Sequence, residues 1–406
     1  MGPKINNADE NLALTSPAYA NSWCRSKFAH PIKAVNGNPN TMWAAGASTE
    51  NGKTFTFRVD LWGPCEVAKV EGVVAQCRPG YTHHQVFLKN TKAETVAQFE
   101  WKGETDNNLM LQYSGERLDG IRWIEIKTIQ SQGWAAWREV RVHGKRKPCN
   151  TELNNFGYFF GHWGEEDYLP EQSTRANVFM CDGGTKVLAD RVEHAQQANM
   201  KSLVSLKELF GVHACGAVCS QCWDSTKRFL KPLESSIIAF VQCDEPYHPF
   251  EKKKLTKAQL EKIALIVKAD FPNTPLAAFF APSSIVHKDF KLPEHHDWFS
   301  FTRHLESDES ERFHTVLSTY YSVLKNKMSE DQRFFIVGDG CMVGSDKEKE
   351  YNRIVRAREY YSWAASTKGV VMYLPYMWPD RSGMTGARSL SRLKTDFDRI
   401  SEIIRK

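Results

Sequence analysis

The stretch Ile237-Ile-Ala-Phe-Val-Gln-Cys-Asp-Glu-Pro246 decides how the second half of the chain is read. It opens as an apolar run without alternation, which suits a strand buried on both faces of a parallel sheet. It then ends on two adjacent carboxylates and a proline. Charge at the edge of a buried sheet carries a desolvation cost that folding alone does not require, so one of Asp244 and Glu245 is read as a working group in preference to an acidic helix cap. Similar runs recur on either side, at Phe156–Phe160, Asn177–Met180, Ser202–Leu206, Pro275–Ala281, Trp298–Phe301, Arg333–Val337 and Val370–Leu374. Amphipathic segments alternate with them, at Lys186–Ala198, Thr256–Ala269, Glu309–Lys325 and Glu348–Ala365, and Ala387–Ile404 closes the chain. Eight strand–helix units in about 255 residues is the size of a (β/α)8 barrel of the TIM type. The alternative, an open doubly wound sheet, lacks a Gly-rich phosphate loop after its first strand.

Residues 11–144 have a different rhythm. Short β-rich runs at Thr54–Leu61, Val67–Ala75, His84–Lys89, Thr95–Trp101, Ile121–Ile129 and Glu139–His143 are broken by turn residues, with no helical period between them. That pattern predicts an antiparallel all-β sandwich. The basic, polar stretch Gly144-Lys-Arg-Lys-Pro148 reads as a boundary. The expected organisation is therefore a β-sandwich over 1–147 and a barrel over 148–406.

The whole chain has 406 residues, with 53 Lys and Arg against 48 Asp and Glu and a formal net charge of +5. That charge is too weak and too mixed to argue for nucleic acid. No apolar stretch approaches the roughly 20 residues of a membrane helix, so membrane insertion is not expected. Met1–Glu10 has no apolar core of a signal peptide, so export would need a segment already removed or another route. Ten cysteines leave the redox compartment open.

Several pieces of the first half resemble the discoidin (coagulation-factor type C, galactose-binding-like) module. They are Asn11-Leu-Ala-Leu-Thr-Ser-Pro17, Val35-Asn-Gly-Asn-Pro-Asn-Thr41 followed by Trp43, Phe57-Arg-Val-Asp-Leu61, and Trp134-Ala-Ala-Trp-Arg-Glu-Val-Arg-Val-His-Gly144. The resemblance implies a jelly-roll sandwich that binds glycans through loops at one end. Stacking on a sugar ring needs an exposed aromatic; Trp23, Tyr81 and Trp134 are the candidates, and packing within the fold is the favoured reading of each. It also implies a structural calcium held by Asn36, Asn38, Thr41 and Glu139, a set of hard oxygens of the kind that ion takes. Asn36 stands where the family usually has Asp, and a metal-free Asn-Gly turn is the alternative.

In a barrel the reactive groups follow the strands. His162, Trp163, Asp182, Glu208, Arg303, His304, Tyr376 and Trp378 occupy such positions, with Asp244, Glu245 and Asp339. Carboxylates, histidines and aromatics around one mouth suit a carbohydrate substrate. The second half resembles the large group of retaining (β/α)8 glycoside hydrolases, in which an Asn-Glu-Pro-like motif after strand four carries the acid/base and a carboxylate after strand seven is the nucleophile. Carried onto this chain, the acid/base is Glu245 and the nucleophile Asp339, without a cofactor. Asp244 and Asp339 depart from the family's Asn and Glu. The adjacent pair also resembles substrate-assisted hexosaminidases, in which Asp244 would orient a 2-acetamido group that itself attacks.

The implied protein is a monomeric, secreted or cell-surface glycosidase acting on a polysaccharide or glycan. A catalytically silent adhesin, a lyase and a metal-dependent deacetylase are the rivals. The only histidine–carboxylate cluster for a catalytic metal is His295-His-Asp297, which precedes its strand and reads as a solvated loop. His213, Cys215, Cys219 and Cys222 have ligand types suited to zinc. Disulfides drawn from Cys181, Cys215, Cys219 and Cys222, and a Cys24–Cys149 pair, are the alternative expected for an exported chain.

Overall fold

The computed structural model describes residues 9–14, 16–24, 29–49, 52–146, 150–159, 169–210, 220–244, 255–301, 313–343, 347–380 and 384–405. The chain divides into two compact units, Met1–Cys149 and Asn150–Lys406. No helix among the described residues is long and apolar enough to cross a membrane.

The first unit is an antiparallel β-sandwich built from β1 (Glu10–Asn11), β2 (Ala18–Ala20), β3 (Trp43–Ser48), β4 (Phe55–Val74), β5 (Gly80–Lys89), β6 (Thr95–Thr105), β7 (Met110–Gln130) and β8 (Trp134–Arg146). The strand order is β1-β8-β4-β7-β5-β6, with β2 added to β4 and β3 to β8. Trp43, Phe57, Trp137 and the aliphatic residues around them fill its core. The sequence predicts separate strands over Thr54–Leu61 and Val67–Ala75, whereas the chain runs through both as β4. It turns a corner between them, where the pairing with β7 loses register from Asp60 to Cys65. Trp62 at φ 74°, Gly63 at φ 146° and the donor-less Pro64 make that corner.

A buried ion pair holds the corner. Arg122 donates from Nε to Asp60 Oδ1 at 3.1 Å and from Nη2 to Oδ2 at 3.0 Å, while the Trp62 N–H donates to the same Oδ1 at 3.0 Å. Both residues are buried, and the Arg122 guanidinium lies 4.3 Å from the Trp123 ring centroid. Removing the cation leaves Asp60 charged and buried. We expect Arg122→Met to cost about 3–5 kcal/mol in urea denaturation. A loss below about 1 kcal/mol, the range of an exposed pair, would refute that reading.

The second unit contains β9 (Asn155–Phe156), β10 (Val178–Cys181), β11 (Lys201–Ser205), β12 (Ile237–Asp244), β13 (Leu276–Phe280), β14 (Trp298–Phe301), β15 (Arg333–Asp339), β16 (Cys341–Val343), β17 (Val370–Tyr376) and β18 (Met384–Gly386). Eight of these form one parallel sheet in the order β10-β11-β12-β13-β14-β15-β17-β9, and β16 pairs with β18 apart from it. The ends of the sheet nearly meet. Asn177 supplies the join, its N–H donating to Phe156 O at 3.0 Å and its Oδ1 accepting from Phe156 N at 2.8 Å.

Alternation along the strands sorts two cores. Val178, Met180, Leu203, Ala239, Val241, Ala277, Phe279, Phe335, Val337, Met372 and Leu374 form one cluster, enclosed by the sheet. Their sequence neighbours, such as Phe179, Val204, Phe240, Ala278, Ile336 and Tyr373, pack with the helices in the other. The expected helices appear at Thr185–Gln197, Lys257–Asp270 and Lys347–Ser366, and the described part of another spans Phe313–Lys325. The last is corrected: Ala387–Ser389 is a separate 3-10 turn, and the helix proper is Ser391–Ile404.

Candidate functional site

Because the eight strands are parallel, their C-terminal ends share one rim. Asp339 ends β15 there. Phe335 and Val337 belong to the inner cluster, and a side chain on Gly338 would strike Tyr360 and Tyr373 on the outer layer, so Asp339 continues the inner row. Asp339 is 3% exposed, and its Oδ2 accepts from Arg353 Nη1 at 2.7 Å and Arg356 Nη1 at 3.1 Å. Tyr376 lies opposite Asp339 at the end of β17, half-buried, its ring 6.3 Å from that of Phe159. The chain then bends sharply: Met377 N–H donates to Pro375 O at 3.1 Å, and Met377 adopts φ 91°. Such backbone is costly for a residue with a side chain.

On β12 the register slips by one residue between Val241 and Asp244, which sets Asp244 opposite Phe279 of the inner row. Glu245, His162, Trp163, Arg303 and His304 lie outside the described residues.

Three expected rim residues are placed differently. Trp378 is fully buried, 4.6 Å from the Tyr158 ring, and serves the core instead of offering a face to a sugar. Glu208 is exposed in the first turn of the short helix Lys207–Phe210. Asp182 is bound at Oδ1 by Arg191 at 2.9 Å, and the same guanidinium takes the Asp182 carbonyl at 2.6 Å, an arrangement that fixes the turn after β10.

The metal and disulfide expectations are corrected in part. His296 is buried, its Nε2 2.5 Å from Gln242 Oε1, and burial lowers its pKa to about 3. Asp297 pairs with Lys268 at 2.6 Å. His295-His-Asp297 is thus a structural corner, neither a solvated loop nor a ligand set. Cys222 is disulfide-bonded, which removes its sulfur from any zinc site. Cys24 and Cys181 are free thiols, so neither joins an expected disulfide, and burial pushes the Cys181 thiol up to about 12.

In the first unit the four residues expected around calcium gather at one loop. Thr41 Oγ1 lies 2.9 Å from Lys33 O, 3.1 Å from Asn36 Oδ1 and 2.9 Å from Asn38 O. Glu139 reaches the same loop, its Oε1 accepting from Gly37 N–H at 3.3 Å. A one-residue slip in the β4–β8 pairing beyond Val73 gives Arg138 no partner of its own on β4 and turns Glu139 inward. Glu139 Oε2 is buried without a hydrogen-bond donor, and burial raises the carboxyl above its ordinary value. A buried carboxylate with one oxygen lacking a donor, beside neutral oxygens, fits a hard cation.

The sign of this effect can be tested. A carboxyl raised in the fold loses stability as pH climbs from 4.5, its ordinary value, through its folded value. If this loop takes calcium, the ion should raise the melting temperature at pH 7, and protons should compete it away below about pH 5. Glu139→Gln should abolish the calcium response and, in chelator, melt above the parent. A calcium response that survives in Glu139→Gln would place the ion elsewhere.

The three aromatic candidates for stacking, read from sequence as packing residues first, are exposed, Trp23 at 46%, Tyr81 at 41% and Trp134 at 51%. Trp134 pairs with Ser48 across β3, the Trp23 carbonyl abuts Gly46 on that strand, and Gly80 beside Tyr81 abuts Gln132.

The sequence reading missed Arg353 and Arg356. The signal was their i, i+3 spacing one helix turn apart, which aims both at one point.

No family model matches the chain, and no curated protein does. Among solved structures, a chitosan-binding module of a Paenibacillus sp. IK-5 chitosanase/glucanase matches at 16% identity and TM-score 0.28, covering 34% of this chain and 99% of that one. A Streptococcus pneumoniae fucose-binding module matches at 20% identity and TM-score 0.28, covering 35% of this chain and 100% of that one. The family 32 carbohydrate-binding module of C. perfringens NanJ, in complex with galactose, matches at 20% identity and TM-score 0.27, covering 33% of this chain and 97% of that one.

Proposed function

We propose that the chain is a secreted or surface-acting glycosidase, with a glycan-binding first unit and a (β/α)8-type second unit that hydrolyses glycosidic bonds. The observation that carries the hydrolytic reading is Asp339, a buried carboxylate on the inner row of a parallel sheet, at the same rim where β12 ends on Asp244. Two carboxyl groups flanking one bond are the minimum for this chemistry. In the proposal Glu245 protonates the leaving oxygen and Asp339 attacks the anomeric carbon, its position fixed and its charge balanced by Arg353 and Arg356. Tyr376 provides a wall for the sugar.

The exposed trio Trp23, Tyr81 and Trp134 supports glycan binding by the first unit. Asn36, Asn38, Thr41 and Glu139 would hold a calcium ion that orders their loop, with no part in hydrolysis. Binding to a multivalent glycan raises the local concentration of bonds available to the second unit.

A second reading has its own support. Two guanidiniums on one oxygen withdraw charge from Asp339, and the slip in β12 sets Asp244 in register with the inner row. Both fit a substrate-assisted N-acetylhexosaminidase. Incubating the chain with neutral, N-acetylated and acidic polysaccharides, and identifying released oligosaccharides by mass spectrometry, tests hydrolysis as such. Release from none of them would leave a glycan-binding adhesin.

A further inference from the structure

The rim carries more positive charge than its fold requires. Asp339 needs one guanidinium to balance it and has two. Among the described residues, neither Arg353 nor Arg356 pairs with any other acid. Arg356 keeps only 10% of its side chain exposed, and Arg353 keeps 20%. Burying a second cation against a single carboxylate is unfavourable unless another anion arrives. Each arginine spends one N–H on Asp339 Oδ2, and a guanidinium has five. The partly exposed Arg353 fork is therefore left to meet a ligand at the inner rim.

We infer that this second unit takes an acidic glycan, a chain whose sugars bear carboxylate or sulfate groups, and that Arg353 and Arg356 bind that group beside Asp339. The inference rests on the reading of this rim as a glycan site and adds the substrate class to it. A planar guanidinium fork matches a carboxylate or sulfate bidentately, which a lysine cannot do.

Calorimetric titration of the full chain with tetragalacturonate, a sulfated tetrasaccharide and neutral cellotetraose tests this. The acidic ligands should bind more tightly than the neutral one and weaken with added salt, and the stronger of the two identifies the anionic group. Arg353→Met keeps Asp339 paired with Arg356 and should lower acidic affinity by about 10- to 100-fold, a much larger loss than for the neutral ligand. Arg353→Lys should recover part of the loss; should Arg353→Met fail to fold, the Lys variant decides, since it keeps the charge and loses the fork. Acidic ligands that bind no better than neutral ones, or that bind the Arg353 variants as they bind the parent, would overturn the inference. If no substrate is cleaved but acidic binding depends on Arg353, the hydrolytic reading falls and this one stands.

Discussion

Glu245→Gln is expected to slow glycosidic cleavage by about 10²–10⁴-fold or more while the protein folds and binds glycan as before. The carboxamide keeps the size and the hydrogen-bonding reach of the acid but has no proton to give. A glycosidic oxygen leaves poorly unless it is protonated as the bond breaks, so the loss should be largest on unactivated polysaccharide and smaller on substrates with a good leaving group. Glu245 is assigned because it directly follows Asp244, the last residue of β12, at the rim that Asp339 also occupies. Asp182, another described carboxyl at the C-terminal ends of these strands, is engaged by Arg191 at 2.9 Å. Turnover should be followed by product release, with glycan binding measured alongside. The aromatics proposed for that binding lie in Met1–Cys149, so binding should survive the substitution. Near-normal turnover would move the acid away from Glu245.

The ease of reading differed between elements for physical reasons. Except for the two-residue β9, which shares only Phe156 with its run, each strand of the parallel sheet falls within or largely overlaps an apolar run, because a strand covered on both faces has no polar face to hide it. β1 and β2 have two and three residues and depend on partners far along the chain, so no local pattern announces them. The corner in β4 looks like a gap between strands because Trp62-Gly63-Pro64 reads as a turn, although the pairing resumes beyond it.

The site is harder to read than the fold. Asp339 and Tyr376 end apolar runs in the sequence and end β15 and β17 in the structure. Trp378 followed the same rule and failed, since the sharp bend at Met377 folds the next residue back into the core. Arg353 and Arg356 sit in the charged stretch Lys347-Glu-Lys-Glu-Tyr-Asn-Arg-Ile-Val-Arg356, which looks like a solvated helix face. Only the packing of that helix against β15 shows where the two side chains go. The slip in β12 is equally silent in sequence, because one extra residue in a strand changes the register of its end without changing its composition.

That slip bears on the nucleophile. If Asp339 attacks the anomeric carbon, its carboxyl lies about 5–5.5 Å from that of Glu245, and Asp339→Asn should be as damaging as Glu245→Gln. We expect this outcome, with Asp244→Asn the milder change. The Asn side chain also unbalances Arg353 and Arg356, so a melting curve must accompany the rate: a folded, inactive Asp339→Asn protein supports the nucleophile, and an unfolded one is replaced by Asp339→Glu, which keeps the charge and misplaces it. In the substrate-assisted route the acetamido group attacks, Asp244 holds it, and the two severities are reversed. Only N-acetylated substrates would then be cleaved, and a thiazoline mimic of the cyclised intermediate would inhibit. A carboxylate clamped by two guanidiniums is a weaker nucleophile than one held by neutral donors. However, it is aligned at no entropic cost during the reaction, and that pre-organisation is worth more than the basicity lost. A severe Asp244→Asn defect beside an active Asp339→Asn protein would show that basicity decides, and would transfer the attack to the substrate.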